Sequence, residues 1–220
     1  PYLWWPNGYG RQYLHNMELT LSIEGKTSDK VNTIFGIREV TNKLEKKGSD
    51  YGRVFFINGQ RVFCKGGWLQ PDALLNISEK RVYDEARLLA KANVNMVASE
   101  DAPSPPDIVL DAYDKYGLMC WETFYQCWRM FPGDTATQNN PSDHALALRE
   151  AQDIIKRYRN HPSLVLWCAA NEVTVAEDIY TPLRIYVSDL DGTRPFLSAS
   201  STSWDIDKLT PYIKADLPLG

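Results

Sequence analysis

A chain of 220 residues in which 44% of the side chains are hydrophobic and 24% charged can bury one large core or two small ones. Its net charge of −4, with both signs interleaved along the chain, argues against a polyanion-binding surface and so against nucleic acid as a partner. Nothing in it resembles a membrane span or a signal peptide, and no membrane partner is expected.

From the N-terminus, Met17, Leu19, Leu21 and Ile23 alternate with Glu18, Thr20 and Ser22, which predicts a strand with one apolar and one polar face. A polar turn from Gly25 to Lys30 precedes a second expected strand, Thr33 to Val40. Lys43 to Asp50 is charged and contains Gly48, so it reads as a connector that divides a β domain over residues 1–50 from a second domain over residues 51–220. Past it, Asn58-Gly59 between apolar runs signals a two-residue hairpin turn, with Val62 to Lys65 as the first strand of a new series.

Helices and strands then alternate. Ser78 caps a helix with Val82, Ala86, Leu89 and Ala90 on one stripe, followed by the strand Val94 to Ala98. A helix starting near Pro106, with Val109, Ala112, Tyr113 and Tyr116 on one side and Gly117 past its end, leads to the strand Leu118 to Trp121. Ser142 can cap the next helix, whose stripe is Ala147, Ala151, Ile154, Ile155 and Tyr158. The apolar run Ser163 to Ala170, bounded by His161-Pro162 and Asn171-Glu172, reads as a strand buried on both faces. Thr181-Pro182 reads as N-cap and first residue of a last helix, before a fifth strand over Arg194 to Ser200.

Strands and helices in strict alternation demand a parallel sheet with right-handed crossovers. An eight-unit barrel needs ~250 residues. The stretch from Val62 to Gly220 is shorter, so the expectation is an α/β chain holding strands 1–5 of a (β/α)8 TIM barrel, unfinished at its C-terminal end.

In such a barrel the carboxyl ends of the strands carry the chemistry. There the sequence places Lys65-Gly66-Gly67-Trp68, Glu100-Asp101, Trp121-Glu122, Asn171-Glu172 and Trp204-Asp205. A carboxyl at the mouth of an apolar strand is partly desolvated, which raises its pKa and suits Glu172 to hold a proton. The pattern alone pairs Glu172 with Glu122 on the adjacent strand; the competing readings are a solvated rim residue or an ion-pair partner. Seven Trp and twelve Tyr supply flat rings for either core packing or sugar faces. Cys64, Cys120, Cys127 and Cys168 show neither paired spacing nor His partners, so no metal is indicated. Cys64, Cys120 and Cys168 fall in expected strands and read as buried free thiols.

Phe55 to Ser200 resembles the barrel domain of glycoside hydrolase family 2, and Asn171-Glu172 matches the family's Asn-Glu motif. Leu3-Trp4-Trp5-Pro6-Asn7-Gly8-Tyr9-Gly10 and Phe35-Gly36-Ile37-Arg38 resemble the entry to and exit from the last strands of the immunoglobulin-like β-sandwich that precedes that barrel. The likeness is closest to the β-mannosidase, endo-β-mannosidase and exo-β-glucosaminidase branch. It implies a retaining glycosidase without cofactor or metal, acting on an oligo- or polysaccharide, with the extracellular space or periplasm as its setting. Glu172 would be the general acid/base and Asn171 a partner of the sugar 2-hydroxyl. Glu122 becomes a pocket residue, with Trp121, Trp68 and Trp204 as walls and Glu100 and Asp72 near the sugar. The family's nucleophile sits on barrel strand 7, outside this chain. The remainder of a parent polypeptide would then complete both domains, and the chain alone would be inactive.

His161 to Trp167 followed by Asn171-Glu172 looks like the β-mannosidase pattern, while Gly66-Gly67-Trp68, Pro71-Asp72 and Glu100 resemble the exo-β-D-glucosaminidase arrangement. Strand 2 departs from the family in lacking its basic residue. Two readings of other kinds stand beside these: a non-catalytic carbohydrate-binding or scaffold module, and a barrel hydrolase using Glu122 together with Glu172.

Overall fold

The computed structural model describes residues 1–48, 50–68, 76–99, 104–127, 143–171 and 175–200. Among them it forms three sheets and four helices. The first sheet is the hairpin of β1 (His15–Ile23) and β2 (Lys26–Phe35), joined by Glu24 and Gly25 with φ of 51° and 76°. Two left-handed residues suffice to reverse the chain, so the expected turn over Gly25 to Lys30 is shorter than its polarity suggests. Lys26 to Lys30 belong to the strand, where Lys30 pairs with Glu18 at 2.8 Å.

β2 stops at Phe35, and the expected strand to Val40 does not form. Gly36 lies so close to Pro162 that a Cβ there would come within 2.5 Å of its Cγ, and Arg38 turns away to donate to the carbonyls of Pro162 and Leu164 at 3.1 and 2.8 Å. The Trp-Pro stretch is anchored to the same end of the molecule. Trp4, fully buried, donates its indole N–H to the Asp114 carbonyl at 2.8 Å.

The charged connector is a strand. β3 (Val40–Lys47) pairs antiparallel with β4 (Asp50–Ile57), and β5 (Gln60–Val62) completes the sheet. Its charges fail as a loop signal because they pair on an exposed face, Glu45 with Lys43 at 3.0 Å and with Arg61 at 3.1 Å, while Val40 and Asn42 are buried. Asn58-Gly59 forms the expected turn, both with positive φ.

The third sheet is parallel and carries the strand order β10-β9-β8-β7-β6. Its first strand is β6 (Gly66–Trp68), not Val62 to Lys65, because Val62 is committed to Phe55 in the antiparallel sheet. Asn95 then holds the intervening chain, accepting from the Lys65 amide at 2.8 Å and donating to the Phe63 carbonyl at 3.0 Å. Cys64 is consequently exposed, against expectation, whereas Cys120 and Cys168 are buried free thiols. β7 (Met96–Ser99), β8 (Met119–Cys127), β9 (Leu164–Asn171) and β10 (Phe196–Leu197) follow. Each strand adds beside the one before, which is how a barrel grows and how a doubly wound sheet does not. Among the described residues β6 and β10 are its edges.

The helices are α1 (Glu79–Lys91), α2 (Asp107–Tyr116), α3 (His144–Tyr158) and α4 (Glu177–Leu190). Ser78 caps α1, and Gly117 ends α2 in the left-handed region at φ 73°. Asp143 caps α3 by accepting from the Leu146 amide at 2.8 Å; Ser142 lies outside the described residues. Thr181-Pro182 does not start α4, which begins at Glu177. Pro182 is tolerated inside because the carbonyl its missing N–H would have engaged belongs to exposed Asp178.

Two buried clusters flank the parallel sheet. One, containing Phe124, Trp167, Tyr158, Tyr113 and Phe196, fills the space between sheet and helices. The other, containing Met96, Met119, Leu166 and Trp121, lies on the opposite face and runs down to β3–β5 and Trp4.

Candidate active site

Register decides which side chains share a face. Trp68, Ala98, Trp121 and Leu166 stand opposite one another on β6, β7, β8 and β9. Leu166 and Trp121 belong to the cluster on the inner face, so this row lines the concave side of the half-barrel. Trp68 is 66% exposed and Ala98 is small, which leaves the two indoles with open space between their strands. On the same face Thr123 stands opposite Cys168. Among the described residues the Trp121 Nε1 and the Thr123 hydroxyl are buried without a hydrogen-bond partner. Buried polar atoms of this kind call for water or a polar ligand.

The next row points the other way. Glu122, Trp167 and Phe196 are in register, and Trp167 and Phe196 both belong to the helix-side cluster. Glu122 therefore lies in the row on the helix side of the sheet, before the end of its strand. β8 runs five residues past it to Cys127, and its carboxyl is 2% exposed, accepting from Ser104 Oγ at 2.5 Å in the segment that enters α2. Burial pushes its pKa up to about 8, with the Ser104 hydrogen bond opposing the rise. The extra residues of β8, invisible as a strand in Thr123-Phe124-Tyr125-Gln126-Cys127, set Glu122 back from the strand end at which the sequence placed it.

Asn171 is the last residue of β9, 4% exposed, and accepts from Ser200 Oγ at 2.6 Å. The Ser200 amide also donates to the Ala170 carbonyl at 3.0 Å, so the β9–β10 pairing continues past β10 and delivers the serine to the amide. Ser200 touches the candidate residue Asn171, and the sequence signalled it only as the end of an expected strand. Trp167 is core, as expected: it stacks on Phe124 with ring centroids 5.5 Å apart and donates to Asp191 at 2.6 Å. Glu172, Asp72, Glu100 and Trp204 lie outside the described residues.

Among the described residues Asp111, Asp114 and His161 bring carboxylate and imidazole atoms within 4.8 Å of one another, at the opposite end of the sheet. Their geometry is that of a tether: His161 Nδ1 lies 2.7 Å from Asp114, whose other oxygen accepts from the Ser163 amide at 2.9 Å. It fastens α2 to the chain entering β9.

Sequential parallel strands, with an amide at the end of the fourth and indoles along the inner face, define a barrel-class protein. The chain belongs to glycosyl hydrolases family 2: residues 51–216 match the family's TIM barrel domain, and residues 1–38 match a second family 2 domain model. It is 40% identical over 191 residues to the mannosylglycoprotein endo-β-mannosidase of Lilium longiflorum, covering 84% of this chain and 20% of that protein. It is 28% identical over 219 residues to the exo-β-D-glucosaminidase of Streptomyces avermitilis, covering 96% of this chain and 23% of that protein. Among solved structures it resembles the β-D-mannosidase of Dictyoglomus thermophilum with a TM-score of 0.75 and 34% identity, over 92% of this chain and 27% of that one. The chain thus spans about a fifth of the length of the curated relatives it matches.

Proposed function

We propose that this chain contributes the acid/base half of a retaining β-glycosidase of the β-mannosidase type. Glu172 donates a proton to the departing glycosidic oxygen and then takes one from water. Asn171 holds the sugar 2-hydroxyl, Trp121 and Trp68 wall the sugar on the inner face, and the nucleophilic carboxylate comes from further polypeptide. The observation that carries this reading is Asn171 itself, buried at the end of β9, oriented by Ser200 and directly followed by Glu172. Identities of 40% and 34% to two mannosidases support mannose over glucosamine. The exo-β-D-glucosaminidase reading is supported by a likeness over 96% of the chain at lower identity.

The chain alone is expected to leave an aryl β-mannoside intact. Turnover by the purified chain that disappears in Glu172→Gln would overturn this. In a longer polypeptide supplying the rest of the barrel, the aryl β-mannoside should be hydrolysed faster than the aryl β-glucosaminide, and Glu172→Gln should lower kcat by about 10²–10⁴-fold. The reverse substrate order favours glucosaminidase. Saccharide binding without hydrolysis, indifferent to Glu172→Gln in calorimetry, favours a binding module.

A further inference from the structure

Strands β6 to β10 carry one charged side chain, Glu122, and it stands in the row that faces the helices. What these strands contribute to the inner face is therefore neutral. Two polar atoms interrupt that lining, the Trp121 Nε1 and the Thr123 hydroxyl, both buried and both without a hydrogen-bond partner among the described residues. An unpaired buried polar atom costs stability, so two on one wall of a cavity mark a place where something other than the fold requires them.

Thr123 is the nearer of the two to the carboxyl ends of the strands, since it follows Trp121 along β8. It stands opposite Cys168, and Cys168 opposite Leu197. The Cys168 thiol is turned to the Ala170 carbonyl of its own strand at 3.3 Å, and Leu197 offers no polar atom, so neighbours in the row leave the Thr123 hydroxyl unanswered. Asn171, which the glycosidase reading gives to the sugar, comes after Cys168 by a rise of about 10 Å, roughly the span of one pyranose ring with a hydrogen bond at each end. The indole N–H donates, the hydroxyl donates and accepts, and neither carries charge. An ammonium or a carboxylate brought against them would be desolvated without a counter-charge, whereas a sugar hydroxyl supplies both a lone pair and a proton.

We propose that Thr123 is a specificity-determining residue of the glycosidase site, its hydroxyl taking a hydroxyl group of the same sugar that Asn171 holds. The assignment rests on the glycosidase reading and not on which hexose is cleaved.

The test is a cycle of enzyme and substrate changes in the longer polypeptide that supplies the rest of the barrel. Thr123→Val keeps the branching of the side chain and deletes the hydroxyl. The substrate is whichever of the aryl β-mannoside and the aryl β-glucosaminide is hydrolysed faster, together with its monodeoxy analogues. On the natural polypeptide one analogue should lose about 5–100-fold in kcat/KM, because it leaves the Thr123 hydroxyl buried and unpaired. In Thr123→Val that analogue and the full sugar should differ by about twofold or less, while the penalties of the other deletions persist. Thermal unfolding without sugar should have a midpoint unchanged or raised in Thr123→Val, since the natural hydroxyl has no partner to lose. Penalties that multiply for every analogue overturn the proposal and leave the glycosidase reading standing. A lowered midpoint also overturns it, by revealing a structural partner for the hydroxyl. Absence of hydrolysis of either glycoside by the natural polypeptide sinks the glycosidase reading and this inference with it.

Discussion

The hairpin β1–β2 and the pair β8–β9 are both made of apolar-rich strands, yet they meet opposite fates. Along β1 the alternation is regular, and Met17, Leu19, Leu21 and Ile23 share a face with Val31 of β2. That face has no cover among the described residues, and Leu19, Leu21 and Ile23 are each more than half exposed. β9 has no alternation to speak of and is buried from Leu164 to Asn171 without a break. Period-two patterning therefore reports which face would be buried, and only a second layer buries it. β9 has two layers, the helix-side cluster with Trp167 and the inner cluster with Leu166. The hairpin's stability is that of its own ladder, which for two strands is marginal.

The sharpest way to break this contrast is Trp167→Ala. It removes a fully buried indole, its stack on Phe124 and its bond to Asp191, and should destabilise the chain by about 3–5 kcal/mol, read from urea unfolding. A loss no larger than that of a surface substitution would mean that β9 is not the core its burial implies. Gly66→Ala should come next. A Cβ at that position would lie 1.7 Å from the Met96 carbonyl oxygen, so β6 must move off β7, at a cost of about 1–3 kcal/mol. Weakened protection of the Val97 and Ala98 amides would locate the damage. The smallest effect is expected from Leu21→Ser, which should change stability by no more than about 0.5 kcal/mol while reducing self-association, measured by sedimentation. A large loss there would show that the apolar face is covered in solution.

Much of the barrel half was legible because its signals are local. The Ser78 cap, the Gly117 stop and the Asn58-Gly59 turn each depend on a few neighbouring residues, and each formed where expected. The errors came where a pairing or a helix already under way decided the outcome. Lys43 to Asp50 reads as a charged connector until Glu45 finds Lys43 and Arg61 across an exposed face. Val62 to Lys65 reads as a barrel strand until Phe55 claims Val62. Thr181-Pro182 reads as a helix start until the helix is seen to begin at Glu177, with Pro182 inside it.

The candidate site divides along the same line. The order of residues established Asn171 at the end of a buried strand, directly before Glu172 in sequence, and the family the chain belongs to, since both are matters of adjacency and of an apolar run of the right length. Whether a strand residue faces the cavity or the helices is a matter of where the strand ends and how its register meets its neighbours. Those depend on hydrogen bonds between residues far apart in the chain, and they turned Glu122 outward to Ser104 while bringing Ser200 to Asn171.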